Sequence, residues 1–163
     1  MNIIERAKKI KLLLMDCDGV LTDGKLYFSE DGEIMKVFHV RDGQGIVSWH
    51  KAGFVSGIIS GRNSRIVERR ANELGIKFIK QGSQDKLSDF AEIIEESGIS
   101  AEETAYIGDD IPDIPLLKVV GLSFTPSDAA KEVLSNVGIV LQNKGGNGAV
   151  RELTDLLLEA KAR

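Results

Sequence analysis

Leu12-Leu13-Leu14-Met15-Asp16-Cys17-Asp18-Gly19-Val20-Leu21-Thr22-Asp23-Gly24 decides how this chain reads. The apolar run at 12–15 shows no alternation, which marks a strand buried on both faces, as in a parallel sheet. Two carboxylates one residue apart arrive where that strand ends. Open α/β sheets keep their ligand sites outside the carboxyl ends of the strands. Successive strand side chains alternate faces, so Asp16 and Asp18 share a site only if the chain turns between them. Gly19 permits such a turn. The arrangement suits one carboxylate as nucleophile and metal ligand, and a second as general acid/base.

Further strand-like runs lie at 54–59, 77–79, 104–107, 121–124 and 137–141, with the first at 11–15. Helical periodicity separates them. Val67, Ala71 and Leu74 fall on one face, as do Leu87, Phe90, Ala91 and Ile94, and later Val150, Leu153 and Leu157. Gly75 and Gly98 stand where two of these helices should stop. Alternating strands and helices predict an α/β fold, a three-layer Rossmann-like parallel sheet covered on both sides. One segment breaks the rhythm. Residues 25–39 read as a β-hairpin insertion turning at Asp31-Gly32. It is too small for a second domain, so residues 1–163 are expected to form one domain, opened by a short amphipathic helix.

The 163 residues suffice for one well-cored domain, and 42% hydrophobic with 28% charged residues is ordinary globular composition. A net charge of −4 argues against a nucleic-acid surface. The single cysteine excludes a disulfide framework and fits a reducing compartment. Between two aspartates, Cys17 reads as a buried spacer rather than a nucleophile. No secretory signal or membrane-length apolar run is present, so a cytoplasmic location with no membrane partner is expected.

Four features fall just after expected strands: Asp16 with Asp18; Ser60-Gly61-Arg62; Lys86; and Gly108-Asp109-Asp110 with Asp113. Each alone has a bland reading as a surface pair, a cap or a solvated charge. Together they have the residue types that phosphoryl transfer requires. An anionic nucleophile attacking an anion needs charge neutralised around it. Mg²⁺ does this with a few carboxylates, which Asp16 and Asp109 could supply with the backbone carbonyl of Asp18. Ser60 and the amides around Gly61 can donate to phosphate oxygens. Lys86 can pair with both nucleophile and phosphate. Asp18 can protonate a leaving alkoxide and then activate water.

On these motifs the chain resembles the haloacid dehalogenase superfamily of aspartate-nucleophile phosphatases. Asp-Cys-Asp-Gly-Val-Leu-Thr from Asp16 matches its first motif, Ser60 the second, Lys86 the third and Gly-Asp-Asp-Ile-Pro-Asp from Gly108 the fourth. The resemblance implies a Mg²⁺-dependent enzyme with Asp16 as nucleophile, Asp18 as acid/base, Ser60 and Lys86 as further catalytic residues, and Asp16, Asp18 and Asp109 around the metal, supported by Asp110 and Asp113. It narrows further. The stretches at 18–24, 40–45, 60–62 and 145–152 are similar to the family that removes phosphate from 3-deoxy-D-manno-octulosonate (KDO) 8-phosphate, a step in lipopolysaccharide sugar biosynthesis. That family lacks a cap domain and resembles a tetramer-forming group, in which the hairpin helps build the homotetramer and neighbouring subunits help close the site. The forty or so residues between Asp18 and Ser60 agree, since a cap there would need more chain. The same resemblance implies substrate contacts by His39, Val40, Arg41, Asp42 and Gly43, by Asp18, Ser60, Gly61 and Arg62, and by Arg70 and Lys86. This chain has Val47 where some members have arginine, and His39 where asparagine is frequent.

Other functions compete. A phosphatase for a sialic-acid-type sugar 9-phosphate is the near alternative, but such relatives tend to carry glutamate where Arg62 stands. A phospho-acceptor receiver lacks the acid two residues after its nucleophile. A silent oligomerisation module would not need the complete acidic set. The glycine-rich stretch 144–148 is left between a flexible loop opening the last helix and a role at a neighbour's site.

Overall fold

The apolar run at 12–15 lies at the centre of the molecule. The computed structural model describes residues 2–163. In chain order it comprises α1 (Ile3–Lys9), β1 (Leu12–Met15), β2 (Tyr27–Ser29), β3 (Gly32–Met35), α2 (Val40–Lys51), β4 (Val55–Ile59), α3 (Arg65–Leu74), β5 (Phe78–Lys80), α4 (Lys86–Ser97), β6 (Thr104–Ile107), α5 (Ile114–Leu117), β7 (Leu122–Thr125), α6 (Lys131–Leu134), β8 (Ile139–Val140) and α7 (Ala149–Ala162). Six strands form one parallel sheet in the order β5-β4-β1-β6-β7-β8. All four β1 residues are buried.

Strand alternation divides the core into two layers. Leu13 and Met15 point into a cluster with Ile46, Trp49, Val67, Ala71, Leu153 and Leu157, from α2, α3 and α7. Leu12 and Leu14 point the other way, against Phe90, Ile93, Leu116, Leu117 and Val133 of α4, α5 and α6. This is the three-layer α/β fold that the sequence predicts. Gly75 and Gly98 end α3 and α4 in the left-handed conformation, as expected of C-cap glycines.

Two expectations need correction. The hairpin's second limb is β3 alone, and the chain leaves the ladder at Lys36 instead of continuing to residue 39. Where the ladder ends, Lys36 turns inward to two carboxylates, Asp18 and Glu33. The buried face of α4 is also rotated from the one expected. Lys86, Phe90 and Ile93 are buried, while Leu87 and Ala91 are exposed. Docking of the Lys86 ammonium onto buried acids fixes the helix's rotation.

Candidate active site

β1 is flanked by β4 on one side and β6 on the other, so its carboxyl end opens onto the crevice where the order reverses. Asp16 is the first residue past the strand, and its amide still donates to the Ile107 carbonyl at 3.0 Å. Alternation therefore carries its side chain to the α4 side, as for Leu14. Its Oδ1 accepts from the Cys17 amide at 2.7 Å and lies 3.2 Å from Lys86 Nζ. A cleft of about 270 Å³ opens here, lined by Asp16, Asp18, Ser60, Arg62, Lys86 and Asp109 among others. All four expected motifs thus converge.

Asp113 organises the floor. Its Oδ1 accepts from Lys86 Nζ at 2.6 Å and from the Tyr106 hydroxyl at 2.5 Å. Its Oδ2 accepts the amides of Asp109 and Asp110 at 2.9 and 3.1 Å. One buried carboxylate therefore fixes both the lysine and the acidic loop. Asp110 is turned to its own loop, where it accepts from the Ile111 amide at 2.8 Å. Burial opposes the charge on Lys86, but Asp16 and Asp113 outweigh it and raise its pKa. Burial and then the charge of Asp113 push Asp16 above the ordinary carboxylate range, with Lys86 opposing. Burial, Asp16 and Asp113 do the same to Asp109.

That surplus of negative charge fits a hard cation. Asp16, Asp109 and Asp113 each present a carboxylate oxygen within 4.8 Å of the others, and Asp109 Oδ1 is buried without a hydrogen-bond partner. Oxygen-only carboxylate donors beside a phosphate-sized cleft suit Mg²⁺. Asp16 and Asp109 have the free oxygens, whereas both oxygens of Asp113 are already engaged.

Asp18 opens the turn that follows β1. Its Oδ1 accepts from Lys36 Nζ at 2.6 Å, and Arg62 Nε is 3.8 Å from its Oδ2. Gly19 is required twice over. Its φ is +86°, and a Cβ there would stand 1.9 Å from Asp109 Oδ2. The glycine-rich segment 145–148 proves to be the backing of this same loop. The Gly146 amide donates to the Val20 carbonyl at 2.9 Å, and a Cβ on Gly145 would sit 1.8 Å from the Gly19 carbonyl oxygen. It is packed against its own chain rather than a free loop.

The expected substrate turn is not brought into the cleft within one chain. His39 caps α2 by accepting the Arg41 amide. Val40 is exposed. Asp42 is buried and accepts the amides of Gly148 and Arg151 at 3.4 and 2.9 Å, capping α7 from a distance. Gly43 lets the Arg70 guanidinium approach, since a Cβ would stand 2.4 Å from it. Arg70 itself covers Phe38 and pairs with Glu73 at 2.9 Å. His39 and Arg41 line a separate groove with Asn147 and Arg151.

Two site residues escaped the sequence reading. Tyr106 is one; an inward tyrosine one residue before the strand end was the available signal. Lys36 is the other, with a side chain only 2% exposed. A lysine among Ile34, Met35, Val37 and Phe38 was the clue there. Cys17 is buried as expected, and burial pushes its thiol pKa up.

Comparison with known proteins gives consistent results. Residues 42–121 match the model of haloacid dehalogenase-like hydrolases. That span includes Ser60, Lys86 and Asp109 but not Asp16 and Asp18. The Haemophilus influenzae 3-deoxy-D-manno-octulosonate 8-phosphate phosphatase is 42% identical over 98% of this chain and 88% of its own length. The crystal structure of the Yersinia pestis phosphatase of that name superposes with a TM-score of 0.96 at 43% identity, over 98% of this chain and 86% of the other. The Moraxella catarrhalis phosphatase, solved with magnesium, phosphate and KDO, does so at 0.95 and 39%, over 98% and 92%. The chain is a phosphatase of the haloacid dehalogenase-like hydrolases and belongs to their 3-deoxy-D-manno-octulosonate 8-phosphate phosphatase family.

Proposed function

We propose that this chain hydrolyses KDO 8-phosphate to KDO and phosphate through an aspartyl-phosphate on Asp16, in the supply of lipopolysaccharide sugar. The observation that carries the mechanism is the pairing of Asp16 with buried Lys86 beside Asp18 in one strand-end cleft. An Asp16 oxygen attacks phosphorus as the bond to the sugar oxygen breaks, and Asp18 gives that oxygen its proton. Water then attacks the same phosphorus and yields its proton to Asp18, and the bond to Asp16 breaks. Lys86 and the Ser60 and Gly61 region hold phosphate oxygens. Asp16, Asp109 and the Asp18 carbonyl would hold Mg²⁺, which supplies positive charge against the phosphoryl oxygens.

Substrate choice rests on the family and on Arg62, which stands at the cleft mouth where sialic-acid-type relatives tend to have glutamate. We also take residues 1–163 as one domain acting in the cytoplasm, where the substrate is expected. No helix among the described residues is long and apolar enough to cross a membrane. A homotetramer is supported by the hairpin, which exposes Leu26, Phe28, Ile34, Met35 and Val37. Exposed apolar side chains gathered on one hairpin mark an interaction surface. In the tetramer His39, Val40, Arg41 and Arg70 would serve a site completed across subunits.

The test is phosphate release with Mg²⁺ from KDO 8-phosphate beside a sialic-acid-type 9-phosphate and hexose phosphates. Strong preference for the first supports the substrate. Turnover of the others only discards it and keeps the chemistry.

A further inference from the structure

The hairpin does more than present an apolar surface. Just past β3, Lys36 sends its ammonium to Asp18 Oδ1 at 2.6 Å and to Glu33 Oε1 at 2.9 Å. Glu33 Oε2 in turn accepts the Ser64 hydroxyl at 2.5 Å, and Ser64 is the N-cap of α3. From β2, Phe28 lies under the Arg62 guanidinium at 5.5 Å, and Arg62 Nε is 3.8 Å from the other Asp18 oxygen. Both oxygens of Asp18 are therefore approached by cations that hairpin residues hold in place.

Burial sets the scale of this contact. An exposed ion pair of this kind would matter little. The Lys36 side chain is 2% exposed, and that of Asp18 20%. Burial opposes the lysine's charge, but its hydrogen bonds to Asp18 and Glu33 outweigh that and raise its pKa. Two of its three N–H donors are committed to carboxylates. Asp18 itself follows a strand and precedes a positive-φ glycine, so its backbone alone leaves its side chain several staggered rotamers. A general acid must lie within about 2.6–3.2 Å of the atom it serves. Anchoring one oxygen presents the other to the cleft.

We propose that Lys36 is a positioning residue for the reaction: held by Glu33, it fixes the Asp18 carboxylate for proton transfer, so that the hairpin sets the acid/base geometry. This rests on the assignment of Asp18 as acid/base, and not on the identity of the sugar. When the sugar oxygen leaves, Lys36 keeps Asp18 in reach to protonate it. When water attacks the phosphorylated Asp16, Lys36 keeps Asp18 in reach to take its proton.

The experiment compares wild type, Lys36→Met, Lys36→Arg and Glu33→Gln, with Asp18→Asn as benchmark. Turnover is read on KDO 8-phosphate, on a hexose phosphate and on p-nitrophenyl phosphate, with melting temperature beside it. Nitrophenolate leaves without needing a proton, so its first step reports the Asp16 machinery alone. With Lys36→Met, kcat on the alkyl phosphates should fall roughly tenfold to a hundredfold with KM little changed, as for a misplaced catalytic group. On p-nitrophenyl phosphate the nitrophenolate burst should persist and be followed by slow turnover, the pattern of Asp18→Asn. Lys36→Arg should recover most of the loss, and Glu33→Gln should show a milder form of it. The proposal is overturned if Lys36→Met leaves kcat intact, raises KM alone, or slows the burst as much as turnover. If wild type cleaves p-nitrophenyl phosphate but not KDO 8-phosphate, the substrate reading fails, and the burst still decides the role of Lys36.

Discussion

Asp113 is the residue on which most of the site leans. It holds Lys86, Tyr106 and two loop amides with two oxygens, and it is almost wholly buried. Removing one partner of such a pair costs about 3–5 kcal/mol, because a buried charge is left alone. Asp113→Ala should therefore lower both stability and kcat, seen in denaturant titration and turnover; an unchanged midpoint would contradict the arrangement. Asp16→Asn is different in kind. It should abolish turnover while the protein stays folded, and residual steady turnover would sink the nucleophile assignment. His50 gives a pH prediction away from the site. Its ring Nε2 meets the Ser56 hydroxyl at 2.7 Å, and burial lowers its pKa. The unfolded state then binds the proton more readily than the folded state. This group's contribution is present above about pH 6.5, the unfolded value, and is lost as pH falls through the lower folded value. An NMR titration midpoint at or above the ordinary histidine value would refute it.

At the scale of elements, α2 and α7 show how the core is held. Gly45 lets them touch, since a Cβ there would stand 2.3 Å from Thr154 Oγ1, and Asp42 caps α7 across the gap. Loss of a cap costs about 0.5–2 kcal/mol. Asp42→Ala should thus lower the melting temperature, with a larger drop than Glu95→Ala on the exposed face of α4; equal effects would mean that the cap is idle. The sheet was legible because each strand contains a short apolar run, and four of the six, β1, β4, β5 and β6, are followed by motifs whose residues meet where those strands end. The hairpin turn was legible from Asp31-Gly32. What could not be read lies in pairs far apart in sequence: Lys36 with Asp18, Asp42 with α7, and the glycines at 145–146 with the loop at 19–22. Periodicity reports which face of an element is apolar, not which distant charge a buried lysine answers. The misjudged face of α4 has the same origin, because an ion pair rather than apolar area orients its first turn.

The whole molecule combines a rigid sheet with a hairpin that has an apolar exterior and a charged interior contact. Replacing Phe28 and Ile34 by glutamate should reduce the particle mass by light scattering and lower activity, since both are exposed on the proposed subunit contact. A fully active small species would remove the shared-site reading. Gly145→Ala is predicted to act through the loop it backs. The added methyl meets a backbone carbonyl, so a loss of about 1–3 kcal/mol should come with reduced turnover, checked by denaturation and kcat together.

The backing of the Asp16–Gly24 loop by residues near the chain's end has a consequence for synthesis. Every motif residue from Asp16 to Asp113 has been made before Gly145 and Gly146 exist. β1 precedes its partners β4 and β6, the residues that back its loop come later still, and pairings distant in sequence form slowly. A nascent chain stalled before Lys144 would carry the complete catalytic set on an unsupported loop, without α7 to close the core. A chain lacking residues 144–163 is therefore expected to release no phosphate rather than a little, because the loop that carries Asp16 and Asp18 has lost its backing.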